Sequence, residues 1–298
     1  MTPDDQQRAS TGATNAPDAL EVSGDAPDSA LLVNRHHMPF VLGDQVTTQA
    51  AIGLIVLSTD ASIEQEWRQI FAAVGEARSG CKTTPLRQAA EEIGLFCARI
   101  QNADEINPET LQAMRAKMGE TTRLFLPNVP MDVIAYGCTS ATMVIGEAEV
   151  AEEIHAVREG VKVTTPITAA QAALRLHGIN RIALLTPYVD EINQRMRAYL
   201  EARGFVVPVM GSFNEPLDSV VCQIAPASVR DAAIELGKDP EVDGVFVSCT
   251  SLRIARVVEE IETATGKFAT SSNHAMAWHA LDLAGVLGPT PGLGRLFR

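Results

Sequence analysis

One short block occurs twice in this chain, and its two copies dictate the architecture. Val133-Ile134-Ala135-Tyr136-Gly137 leads into Cys138-Thr139-Ser140, and Gly244-Val245-Phe246-Val247-Ser248 leads into Cys249-Thr250-Ser251. Each copy is a short apolar run of strand character, a cysteine, two hydroxyl residues and then a stretch patterned as helix. Parallel strands joined by crossover helices produce this grammar. Two copies predict two related lobes, each presenting one thiol to a shared cleft. Opposed thiols are able to remove a proton from one face of a carbon and return one to the other.

The same alternation runs through the rest of the chain. Ile52–Leu57, Leu95–Ile100 and Asp132–Tyr136 read as strands of the first half, with helices expected from Glu64, over Thr110–Leu126 and over Met143–Glu159. Arg181–Leu185, Phe205–Val209, Gly244–Ser248 and Phe268–Thr270 read as strands of the second. Helices are expected there over Thr168–Leu176, up to Ala202, and over Val229–Leu236, Ile254–Thr263 and Ala275–Leu283. The predicted fold is α/β, with two pseudosymmetric lobes. Each is a mostly parallel sheet flanked by helices, with the active site in the cleft between them. The lobes are expected over 47–165 plus 273–298, and over 166–272. Residues 1–46 are rich in Asp, Ala, Pro, Ser and Thr without periodicity and read as a disordered acidic tail.

Composition narrows the function. A net charge of −13 argues against a nucleic-acid partner, whose phosphates require a basic face. No apolar run reaches the length of a membrane span, and the N-terminus lacks a basic region followed by an apolar core. Five cysteines without framework spacing fit free thiols in a reducing, cytoplasmic setting. There is no phosphate-binding or dinucleotide-binding glycine motif, no HExxH and no CxxC, and His274 and His279 are badly spaced to share a metal. No cofactor or metal is expected. Cys97 falls in an apolar strand and reads as core, whereas Cys81 and Cys222 lack the repeated context.

In open α/β sheets ligands gather beyond the carboxyl ends of the strands, where both Cys138 and Cys249 fall. A helix beginning directly after each cysteine would turn amides and a positive dipole end toward the thiol and lower its pKa. The Thr-Ser pairs supply donors for a carboxylate and for the enediolate left when its α-proton departs. Asp60, after the first strand, is a candidate contact for substrate nitrogen and is equally suited to cap the following helix.

These residues resemble the aspartate/glutamate racemase superfamily, and more closely its branch of maleate cis–trans isomerases and arylmalonate decarboxylases. The similarity covers about Ala51 to Val286. It is carried by Gly53–Asp60, Ala135–Ser140, Leu184–Val189, Val247–Thr250 and Ser271-Ser272-Asn273 leading to Trp278-His279. The resemblance implies cofactor-independent chemistry on Cys138 and Cys249. It also implies that Thr139, Ser140, Tyr188 and Thr250 hold a carboxylate, with Thr59, Asp60, Asp218 and Ser251 around the substrate, and that the protein is a homodimer. Decarboxylase members keep only the second cysteine; this chain keeps both, which favours racemisation or isomerisation.

The resembling maleate isomerases carry Asn where this chain has Asp60, and Asn again near Asp218. A carboxylate at either place repels a second substrate carboxylate, since like charges 4 Å apart cost roughly 4 kcal/mol at an effective dielectric near 20. A nitrogen-bearing carboxylate fits better, and the pattern resembles racemase-like proteins of ectoine utilisation, whose substrates would be diaminobutyrate derivatives. Two alternatives stand beside this expectation. One is cis–trans isomerisation through covalent cysteine addition to a double bond; the other is a non-catalytic two-lobed binding protein.

Overall fold

The structure is a computed structural model and describes residues 37–41, 49–79, 93–127 and 129–298. Residues 37–41 are exposed and carry no regular element. The rest of the expected tail over 1–46 lies outside the described residues except for these, as does Cys81.

Strands β1 (Ala50–Leu57), β2 (Ile93–Ile100), β3 (Val133–Gly137) and β4 (Lys162–Thr164) form a parallel sheet in the order β2-β1-β3-β4. Strands β5 (Arg181–Thr186), β6 (Val206–Ser212), β7 (Gly244–Val247) and β8 (Phe268–Ser271) form a second, in the order β6-β5-β7-β8. The order is the same permutation of four strands, so the repeat seen in sequence is also a repeat in space. The fold is the expected α/β pair of helix-flanked sheets. Every residue of β1 is buried, as expected where helices cover both faces of a parallel sheet.

The helices are α1 (Ile63–Ser79), α2 (Pro108–Ala113), α3 (Arg115–Arg123), α4 (Thr139–Ile145), α5 (Glu147–His155) and α6 (Pro166–Leu176). They continue with α7 (Asp190–Glu201), α8 (Asp218–Val221), α9 (Pro226–Gly237), α10 (Val258–Thr265) and α11 (Ser272–Leu283). Helix α1 buries Ile63, Trp67, Ile70 and Val74, the apolar stripe its spacing predicts. Thr165 caps α6, with Pro166 at its first position, and Ser271 caps α11. Helix α11 follows β8 but also packs on α1, α6, β3 and β4, and its first seven residues are buried.

Two long expected helices are each broken in two. The helix over 143–159 stops at Gly146, whose φ of 110° no other residue adopts without strain. The one over 110–126 is divided at Met114. The helix expected from Ile254 begins only at Val258.

Strand order positions the cleft. The chain leaves β1 for β2 on one side and returns for β3 on the other, so a crevice opens beyond the ends of β1 and β3. The same reversal occurs at β5 and β7. Cys138 follows β3 and Cys249 follows β7. The segments after the equivalent strands β2 and β6 pair with each other: Ile106 N donates to Pro216 O at 3.1 Å, and Asp218 N to Asp104 O at 3.1 Å. Glu105 and Leu217 form an antiparallel bridge between them. Among the described residues no helix is long and apolar enough to cross a membrane.

Candidate active site

Cys138 is the N-cap of α4. Its backbone is extended, and its sulfur accepts from Ala141 N at 3.4 Å and lies 3.8 Å from Ser140 Oγ. Gly137 precedes it because no side chain fits: a Cβ there would sit 2.8 Å from the Ile55 carbonyl oxygen.

Cys249 is held differently. Its φ of 133° is a left-handed-side conformation that non-glycine residues seldom adopt. The expected helix does not follow it. Instead the chain turns, so that Ser251 N donates to the Cys249 sulfur at 3.4 Å. The Cys249 amide donates to Ser272 Oγ at 3.0 Å. Tyr188 lines the same cavity as both cysteines, and its hydroxyl interacts with the Cys249 thiol and the Ser140 hydroxyl.

Cys138, Thr139, Ser140, Tyr188, Asp218, Cys249 and Thr250 line one small cavity. Its apolar wall is Leu57, Ile106, Leu111 and Met114, and Asn102, Ala103 and Glu105 from the paired loops complete it. Asp218 accepts from the Thr59 hydroxyl and, at 2.8 Å, from Ser251 Oγ. Thr59 and Ser251 thus meet the cavity through Asp218. Asp60 is not among the lining residues: its Oδ1 accepts from Ser62 N at 2.7 Å and Ile63 N at 2.9 Å, capping α1, while its Oδ2 is buried and Thr250 favours its charged form. Thr250 Oγ1 reaches Gly137 O at 3.4 Å, and Thr139 Oγ1 lies 2.8 Å from Ser272 Oγ.

The electrostatics correct one expectation. Helix ends were expected to lower the thiol pKa values; burial raises both. Each cysteine is only 4% exposed. Burial pushes Cys138 up to about 12, against the Ala141 amide and the Ser140 hydroxyl, which favour thiolate, and with the charges of Asp218 and Asp60, which oppose it. Burial, then Asp218, raises Cys249, opposed by the Ser251 amide and Tyr188. Burial also raises Asp60 and Asp218 above the ordinary carboxylate range. Among the described residues Glu105 and Asp218 are the charged ones lining the cavity, with no lysine or arginine in the lining. The resting pocket therefore favours neutral thiols.

Asn102 and Ser272 were given no role from the sequence. Asn102 Nδ2 donates to Thr59 Oγ1 at 2.8 Å, and Ser272 bonds both cysteine turns. Asn102 follows the end of β2, where the strand-end rule would have found it. Cys97 is partly buried in β2 and Cys222 partly buried after α8, neither lining the cavity. Among the described residues no three His, Cys, Asp or Glu side chains are grouped to hold a metal ion.

The family model described as arylmalonate decarboxylase matches residues 95–297, more than half the chain. The chain belongs to the arylmalonate decarboxylase family. Arylmalonate decarboxylase of Bordetella bronchiseptica is 32% identical over 169 residues, covering 55% of this chain and 70% of the relative. Maleate isomerase of Nocardia farcinica is 28% identical over 255 residues, covering 83% of this chain and 95% of the relative. A solved Nocardia farcinica maleate cis–trans isomerase, a variant with a covalently bound succinylcysteine intermediate, aligns with a TM-score of 0.70 at 27% identity, over 84% of this chain and 98% of that one. Maleate isomerase of Pseudomonas putida S16, solved with maleate, shares the fold at a TM-score of 0.73 and 21% identity, over 83% and 97% of the two chains. As a member of the arylmalonate decarboxylase family, the protein is an enzyme.

Proposed function

We propose that the protein is an isomerase that uses two thiols to invert the carbon beside a carboxylate. The observation that carries this reading is that Cys138 and Cys249, from equivalent strand ends of the two sheets, line one cavity. Thr139, Ser140, Thr250 and Tyr188 offer neutral donors to the substrate carboxylate. One sulfur, as thiolate, takes the α-proton; the C–H electron pair moves into the carboxylate to give an enediolate. The opposite thiol then delivers its proton to the other face. The two sulfurs end with their protonation states exchanged, ready for the reverse direction.

The substrate also bears a cationic nitrogen. With neutral resting thiols and Asp218 facing them, an ammonium group beside Asp218 offsets the charge that opposes thiolate formation. A second carboxylate there would add to it. A diaminobutyrate-type acid, as in ectoine breakdown, has this chemistry.

A second reading is favoured by the succinylcysteine in the Nocardia farcinica isomerase. One thiolate adds to a carbon of an activated double bond and places the electron pair on its neighbour. Rotation and elimination then return the thiolate with the isomerised alkene.

The test uses α-amino acids, N-acyl amino acids and unsaturated dicarboxylates in deuterated water. The first reading expects solvent deuterium at the α-carbon by NMR together with inversion, the inversion lost in both Cys138→Ser and Cys249→Ser. A covalent adduct on one cysteine by intact mass, without α-exchange, selects the second. Neither signal from folded protein refutes both.

A further inference from the structure

We infer that Asn273, held by Glu66, is a positioning residue that aims the Ser251 amide at the Cys249 sulfur. Asn273 Nδ2 donates to Thr250 O at 2.6 Å and to Glu66 Oε2 at 2.9 Å. Thr250 C=O and Ser251 N–H belong to one peptide group, which is planar and trans, so they point in opposite directions. Fixing the carbonyl end fixes where the N–H end points, and that N–H lies 3.4 Å from the Cys249 sulfur.

Three observations separate this arrangement from ordinary glue. First, Cys249 has no helix directly after it, so the Ser251 amide takes the place of the helix-end donors that Cys138 enjoys. Second, Asn273 spends both amide hydrogens on these contacts and leaves its own buried Oδ1 without a partner among the described residues. An orphaned buried acceptor is unfavourable, so the side chain is oriented for its donors. Turning the amide over would set its oxygen against two acceptors. Third, Glu66 is a buried carboxylate whose other oxygen, Oε1, accepts from Ala255 N at 2.7 Å. Glu66 therefore grips the turn after Cys249 twice, directly at Ala255 and through Asn273 at Thr250. It reaches there from α1, the helix that follows β1 in the other sheet. The inference concerns the thiol and holds whichever reaction that thiol performs.

The experiment measures alkylation of Cys249 and Cys138 by iodoacetamide in the full chain, resolved by peptide mass spectrometry at about pH 9, where thiolate fraction governs the rate. The readout is the ratio of the Cys249 rate to the Cys138 rate. Asn273→Ala is expected to lower this ratio about tenfold, because one amide hydrogen bond to a charged sulfur loses its aim. Glu66→Gln, which keeps the shape but sets an NH2 group against one of its two donors, is expected to lower it several-fold. A general loosening would move both thiols together or expose Cys249. A ratio that stays constant or rises therefore overturns the inference. Should Asn273→Ala fail to fold, Glu66→Gln decides by the same ratio.

Discussion

Ser272 Oγ accepts the amide of Cys249 at 3.0 Å, and the same hydroxyl lies 2.8 Å from Thr139 Oγ1, directly after Cys138. One side chain at the start of α11 thus ties together the turns that carry both thiols. The spacing of the sulfurs is set by this bond as well as by the two sheets.

Gly137→Ala should destabilise the protein and displace Cys138. The added Cβ would lie 2.8 Å from the Ile55 carbonyl oxygen and 3.0 Å from Ile63 Cδ1. The backbone of the buried strand β1 has little room to yield, so a loss of about 1–3 kcal/mol is expected, as in other overpacked cores. Urea unfolding measures it, and activity should fall with it.

Cys249→Gly should be more stable than Cys249→Ala. Both lose the thiol, but alanine keeps the strain of φ 133° and glycine releases it. Such strain costs on the order of 1–3 kcal/mol, against which glycine's extra chain entropy is the smaller term, leaving a difference of about 1 kcal/mol. Paired denaturation curves of the two inactive variants give the comparison; equal midpoints would mean that the turn carries no strain.

Stability should gain from mild acid through the buried carboxylates. Burial raises Asp60, Glu66 and Asp218, so each holds its proton to higher pH in the folded state than in the unfolded chain. Their contribution is fully present below the unfolded value of about 4 and is lost as pH rises through the folded pKa. Glu147 runs the other way: burial raises it, but hydrogen bonds from Thr168, Tyr199 and Gln171 and the Arg203 charge together outweigh this and lower it, so its contribution is lost as pH falls. Asp60→Asn keeps an oxygen to cap α1 and removes one raised group. Its unfolding free energy should therefore decline less with rising pH than that of the natural chain.

Asp218→Asn should change which acid the pocket accepts. Asp218 faces both thiols and has no lysine or arginine beside it in the cavity lining. Removing its charge eliminates a like-charge contact that costs roughly 4 kcal/mol at 4 Å and an effective dielectric near 20. The ratio of kcat/KM for an unsaturated dicarboxylate over an amino acid should rise by at least about tenfold, a fraction of that electrostatic limit. An unchanged ratio would remove Asp218 from substrate selection.

The buried parallel strands were legible because both faces must be apolar, which writes Ile52–Leu57 and Gly244–Val247 as continuous hydrophobic runs. Their order within each sheet is a property of the structure, where the same permutation occurs twice. The turn after Cys249 was not legible. Ile254 and Ala255 are as apolar as a helix face and open the helix expected over Ile254–Thr263, but Asn273 takes the Thr250 carbonyl and Glu66 takes the Ala255 amide. Long-range partners thus satisfy groups that a helix would have paired locally, and no window of adjacent residues records that. The thiol pKa direction was misread for a related reason. Local amides favour thiolate as expected, but burial depends on the whole fold and outweighs them.

The bridge between Glu105 and Leu217 has a kinetic consequence. Backbone bonds at Ile106 and Asp218 flank it, and the Asp104 carboxylate adds Ser219 N at 2.8 Å and Ser219 Oγ at 2.7 Å. Asn102, Ala103, Glu105 and Asp218 of these joined loops line the cavity itself. A ligand coming from solvent between these loops must wait for the seam to part. Its observed binding rate would then level off at high concentration, at the frequency with which the seam opens, and its apparent affinity would be reduced by the fraction of molecules found open.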